Sequence, residues 1–297
     1  MPSLNAGEPL PALRRRVATI EAHGAGRGAA GAFSSEAGTV SPQKMRPLKD
    51  NESEFRSRWN EIRSRTLALG ISGLDHALGG GLALGALHEI APATPFDFGA
   101  AASFALALLA RALADNGREI LWVAPEAAEF ETGHLYGPGL ELLGLPMARL
   151  IGLAAPHERD AAWAMEEALR CRALAAVVGE FARGSSLDLI MLRRLSLAAG
   201  EGGGLGLLLR HCACALPSPV VTRCDIAAAP GARDPFGGLG RPALVLSLVR
   251  NRHGPTGRWL LSWDHHEHVF ASPPLSLDLA AAASDRLPRA AVRAGAG

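Results

Sequence analysis

With 297 residues and 48% apolar side chains, the chain has enough material for one large domain with extensions. Its formal net charge of +1 excludes a globally basic nucleic-acid binder, although only two of its 30 basic residues are lysines, Lys44 and Lys49, which leaves room for local arginine patches. Outside an Ala-rich helix there is no uninterrupted apolar run of about 18 residues, and the first residues lack a signal-peptide apolar region, so the expected setting is the cytoplasm, with no membrane partner.

Residues 1–66 are unlike the rest. Residues 9–22 (PLPALRRRVATIEA) predict a short helix with Leu10, Leu13, Val17 and Ile20 on one face and Arg14 to Arg16 beside it. A surface helix with a solvated basic face is favoured there over an arm that docks a partner or DNA. Residues 24–44, rich in Gly, Ala and Ser, read as a flexible linker. Residues 55–69 predict a lead-in helix with Phe55, Trp59, Ile62 and Thr66 in one stripe.

From Ile71 onward strand and helix alternate, which predicts an α/β domain with a mainly parallel sheet. Turn signals at Gly79-Gly80-Gly81 and Gly85 precede a short apolar strand at 86–90, a loop, and an Ala/Leu-rich helix over 98–114. Further strands are expected at 120–124, 150–154, 173–178 and 205–210, with helices over 159–172 and 187–198. Gly137-Pro138-Gly139 reads as a tight turn. The runs 220–228, 243–249, 259–263 and 268–271 predict antiparallel hairpins along one sheet edge. Residues 273–297, Ala-rich with scattered Arg, are expected to be a disordered tail.

In a nucleotide-binding protein the strand at 86–90, its loop and its helix would form a P-loop, whose N–H groups cradle phosphates while a lysine reaches the terminal ones. Residues 91–103 contain no lysine, and both lysines of the chain lie upstream. Arginine is no free substitute, because its planar fork is not a compact point charge. At the end of the fourth strand an ATPase would hold magnesium with an aspartate; here Gly179 is followed by Glu180, and a one-residue shift on a strand reverses the face. Glu126 follows the second strand, and Arg250-Asn251-Arg252-His253-Gly254-Pro255-Thr256-Gly257 forms a basic segment that is also a strong β-turn in its own right. Pro92, Gly99, Ser103 and Glu180 thus mark a degenerate nucleotide site, to which Glu126, Arg250, Asn251 and Arg252 are added only by the resemblance described below, with no catalytic residue assigned and no bound cofactor expected, ATP included. Asp264-His265-His266-Glu267-His268 is a run of consecutive turn residues without separated ligand pairs, so no metal is expected. Cys171, Cys212, Cys214 and Cys224 are expected as reduced thiols.

Residues 71–90, ISGLDHALGGGLALGALHEI, resemble the entry to the core of the RecA/RadA/KaiC superfamily, where T-G-x-x-x-L-D-x-x-L-G-G-G-L-x-x-G precedes the phosphate-loop strand. The lost lysine and the ending LHEI make the chain most similar to the ImuA family of RecA-related accessory proteins. Leu135 to Leu140, Leu143 to Leu145, Trp163 to Arg170, Val178 to Glu180, Arg250 to Gly257 and Trp263-Asp264 also fit that pattern.

The resemblance implies a RecA-like core over residues 67–272, with a mainly parallel central sheet flanked by helices and an antiparallel hairpin extension at the C-terminal edge. It places Glu126 where relatives keep a water-activating carboxylate, and Arg250 to Gly257 near a neighbouring subunit's nucleotide. It implies a non-catalytic accessory role in SOS-induced translesion DNA synthesis and mutagenesis after DNA damage. The implied partners are ImuB and an error-prone DNA polymerase, with RecA and single-stranded DNA as further candidates. Arg223, Arg233 and Arg241 fall in the region where RecA-like proteins contact DNA. Two other readings stay open: a RecA/KaiC-type ATPase or single-stranded-DNA-binding protein, and a cell-division inhibitor of the SulA kind.

Overall fold

The structure, a computed structural model, describes residues 65–114, 117–181, 187–212, 218–231, 238 and 240–273. The expected helix at 9–22, the linker, residues 55–64 of the lead-in helix, and the tail from 274 lie outside these residues. The lead-in helix does not run on to residue 69: Thr66–Leu67 is a strand, β1, paired antiparallel with Leu82–Ala83, β2. The turn between them contains a short helix, α1 (Ser72–Leu78), closed by Gly79 in the left-handed conformation. Gly81, at φ +136°, brings the chain back so close to β1 that a Cβ would strike the Leu67 carbonyl.

Among the described residues nine strands form one sheet: β3 (Ala86–Pro92), β4 (Glu119–Pro125), β5 (Leu150–Ala155), β6 (Leu174–Phe181), β7 (Leu205–Arg210), β8 (Thr222–Ala229), β9 (Ala243–Asn251), β10 (Gly257–Asp264) and β11 (Val269–Ala271). Their spatial order is β11-β10-β9-β8-β3-β7-β6-β4-β5. Pairings from β5 across to β8 are parallel, and β8-β9-β10-β11 continue as an antiparallel meander. Of the four runs expected as antiparallel hairpins, the first therefore differs in part: β8 lies parallel to β3 on one side and antiparallel to β9 on the other.

Helices cover both faces, which is why β3, β6 and β7 are buried at every position. The remaining α-helices among the described residues are α2 (Phe98–Ala114), α3 (Glu126–Thr132), α4 (Gly137–Leu142), α5 (Glu158–Leu169) and α6 (Leu189–Gly202). On one face α1 and α2 pack with Ile90, Trp122, Val178, Leu207, Ile226, Leu246 and Leu261. Among the described residues, Pro95–Ala114 is the one helical stretch long and apolar enough to cross a membrane; its Ala and Leu side chains instead fill this core. On the other face α5 and α6 cover Leu87, Leu121, Val123, Val177 and Leu208. Gly202 lets these two helices meet, since a Cβ there would run into the Leu169 carbonyl. Gly137-Pro138-Gly139 opens α4 and is not merely a turn; a proline in a first helical turn loses no hydrogen bond.

Candidate functional site

The loop in the phosphate-loop position leaves β3 at Pro92, which is buried, and reaches α2 through a short 3-10 turn, Pro95–Asp97. The turn is closed by a capping box. Asp97 Oδ2 accepts from the Thr94 hydroxyl at 2.6 Å and the Thr94 N–H at 3.0 Å, and Oδ1 accepts from the Ala228 N–H on β8 at 2.8 Å. These bonds, the Thr94 hydroxyl first, hold the Asp97 carboxyl below the usual carboxylate range. A carboxylate thus takes the Thr94 N–H, a loop donor of the kind that a phosphate would need, and a phosphate brought here would meet that charge. Gly99 and Ser103 lie exposed in the first two turns of α2.

Glu180 is level with Leu209 and Ile90 across the sheet, two residues short of the end of β3, and faces the α2 side. It is 6% exposed. Trp122 Nε1 donates to its Oε2 at 3.1 Å, and His211 Nε2 lies 2.8 Å from its Oε1. The Thr132 hydroxyl is 3.0 Å from the same Oε1 and 2.9 Å from the Ala128 carbonyl, so its one proton is shared. His211 also reaches Glu131 through Nδ1 at 3.4 Å, and its ring stands edge-on to Phe98 with centroids 4.4 Å apart. Both oxygens of Glu180 are thereby engaged by protein donors. Glu126 begins α3 at the end of the neighbouring strand, with its side chain exposed.

The basic segment sits at the other end of the sheet. Asn251 is paired with Thr222 on β8, and Thr222 with His88 on β3, four residues before Pro92, or roughly 13 Å along the strand. Within one chain, Arg250, Asn251 and Arg252 therefore do not share a site with the Pro92 loop. Asn251 Nδ2 donates to the Ala77 carbonyl of α1 at 2.8 Å and to Pro255 at 3.1 Å. Arg252 donates to the carbonyls of Val220 at 2.9 Å and Ser218 at 3.0 Å. Arg250 stands opposite Arg223 in the β8-β9 ladder. The signature around Ile71 is tied down in the same way: Asp75 accepts from the N–H groups of Leu69 at 2.8 Å and Gly70 at 2.9 Å. His88 bridges Thr222 at 2.8 Å and the Ala83 carbonyl at 2.9 Å, and burial pushes its pKa down to about 4.

Of the arginines expected to touch DNA, Arg223 is turned onto the fully buried Glu89 at 3.1 Å, which also holds Arg210 at 2.8 Å. Arg241 is exposed and pairs with Asp264 at 2.7 Å, and Arg233 lies outside the described residues. Asp264 caps the hairpin turn between β10 and β11 by accepting from the His266 and Glu267 N–H groups, and among the described residues no group of three or more His, Cys, Asp or Glu is placed to hold a metal ion. Burial pushes the Cys224 thiol up to about 12; Cys214 is outside the described residues.

Sequence reasoning missed Asp97, His211, Thr132 and Glu89. Thr94-x-x-Asp97 ahead of an apolar helix is a readable capping box, and a lone Glu89 inside an apolar strand signals a buried partner. His211 stands beside Cys212 and Cys214 in a run that the sequence offers only as a weak metal-ligand pattern, and nothing local marks it as a partner of Glu180.

No protein-family model matches the chain. The crystal structure of the RadB recombinase aligns with a TM-score of 0.49 at 17% identity, over 67% of this chain and 97% of that one. Protein ImuA of Caulobacter vibrioides, in two strains, is 36% identical over 226 residues, which is 70% of this chain and 89% of the relative. Identity at that level across most of both sequences means that the chain belongs to the ImuA family.

Proposed function

We propose that this chain is a non-hydrolysing, RecA-like accessory protein of damage-induced mutagenesis, acting in translesion synthesis through contact with ImuB and an error-prone DNA polymerase. Membership of the ImuA family supports the process. The state of Glu180 carries the non-catalytic part: the carboxylate nearest the magnesium position of an ATPase is buried, and both its oxygens are engaged by Trp122, His211 and Thr132. Two further features agree with it. The loop has no lysine to offset charge on a transferring phosphate, and Asp97 adds a negative charge of its own. The residues present do not fit a magnesium–triphosphate.

The experiment is a titration of the purified full chain with Mg-ATP, followed by a turnover assay, beside a pull-down of ImuB from damaged cells. The expected results are no saturable ATP binding, no turnover, and recovery of ImuB. Steady hydrolysis that Glu126→Gln abolishes would overturn the non-catalytic reading, and absence of ImuB would overturn the partner.

A further inference from the structure

Two phenyl rings stand in solvent at the carboxyl edge of the parallel strands. Phe96 is 98% exposed and Phe130 is 90% exposed. Single exposed apolar residues need no explanation, but these two belong to segments that the same imidazole joins. His211 packs on Phe98, two residues after Phe96, and reaches Glu131, the residue after Phe130. Both rings are also carried on anchored backbone. Phe96 sits inside the Thr94–Asp97 capping box, and Phe130 is on α3, whose last residue, Thr132, contacts Glu180. Side chains presented on ordered segments lose little further freedom on binding.

Within the two segments that carry them, residues 93–98 and 126–132, every charged residue is acidic. Glu126 is four residues before Phe130 and shares its stripe of α3, Glu131 adjoins the ring, and Asp97 adjoins Phe96. A nucleic-acid backbone would be repelled by these carboxylates. A protein segment with arginine or lysine around its apolar residues would be attracted. Two aromatic side chains offer about 300 Å² of apolar surface, enough for the centre of a small docking patch.

We infer that the Phe96–Phe130 edge is a docking surface for a segment of another protein that presents large apolar side chains flanked by basic ones. This rests on the accessory reading above and names the surface through which it works. The edge that would serve nucleotide chemistry in an ATPase here serves recognition.

The test titrates purified ImuB onto the full chain and onto two variants, Phe96→Ser combined with Phe130→Ser, and Glu126→Arg. The double variant is expected to bind roughly tenfold more weakly or worse. Glu126→Arg should weaken binding at low salt and flatten its salt dependence. Thermal unfolding should be unchanged in all three proteins, because none of the replaced side chains is buried. Equal binding by every variant overturns the surface and leaves ImuB as a partner. No binding by the parent overturns surface and accessory reading together. Sedimentation that shows a dimer in the parent and a monomer in the double variant identifies the occupant as a second copy and overturns the basic partner. Single-stranded DNA binding that the double variant loses does the same.

Discussion

At the amino end of β3 the polar side chains of the recognisable segments bind mainly backbone: Asp75 holds two N–H groups, Asn251 and Arg252 hold four carbonyls, and His88 holds one carbonyl besides the Thr222 hydroxyl. At the carboxyl end the side chains also bind one another, as Glu180, His211, Glu131, Thr132 and Trp122 do, and two phenyl rings are left in water. The first arrangement fixes chain geometry. The second engages both oxygens of a buried carboxylate, Glu180. The two most recognisable segments, around Ile71 and around Arg250, meet at the amino end, where Asn251 grips the last turn of α1. In this chain, then, part of what makes the sequence recognisable is a structural brace.

The sharpest way to break that contrast is at Gly81. Gly81→Val forces a β-branched residue to φ +136° and drives its Cβ into the Leu67 carbonyl, so denaturant unfolding should show a loss of about 3 kcal/mol or more. Stability equal to the parent would mean that the β1-β2 brace is dispensable. The next effect is set by pH. His88 is held neutral by burial, with a folded pKa of about 4 against 6.5 when exposed. As pH falls the unfolded chain takes up this proton first, so stability is complete above 6.5 and declines through the window down to 4. The gap between 6.5 and about 4 corresponds to about 3 kcal/mol in total, read as the fall in unfolding free energy across that pH window, and His88→Gln should flatten it. Smaller still, Asn251→Ala removes the anchor on the Ala77 carbonyl and should cost roughly 1 to 2 kcal/mol in the same assay. By contrast Phe96→Ser and Phe130→Ser, at the other end, should stay within about 0.5 kcal/mol of the parent.

Much of the sheet was legible. The strands over 86–90, 150–154 and 205–210 match β3, β5 and β7 to within two residues, because apolar runs between turn signals carry their own boundaries. Helix 98–114 matches α2 in full, since an Ala/Leu surface on nearly every side has only a buried solution. The failures were local conflicts. Gly137-Pro138-Gly139 has turn composition yet opens a helix, because proline's fixed φ suits a first helical turn as well as a bend. Thr66 fits a helical stripe and lies in a strand because β2 returns beside it. For the site, the missing lysine was plain and Glu180 was singled out, but the engagement of its oxygens was not visible.

Composition and spacing were sufficient to establish the alternating α/β plan and the absence of a lysine from the loop, while the family was legible only as a resemblance of particular motifs; all of these are properties of neighbouring residues and of residue identity. Only the tertiary structure decided that Arg250 to Arg252 stand roughly 13 Å along the strands from Pro92, that Asp97 closes its own loop onto β8, and that His211 meets Glu180. Hydrophobic periodicity is written within a single element and survives in the sequence. Hydrogen-bond partners tens of residues apart, such as Trp122 and Glu180, leave no local trace, because the register of separate strands chooses them.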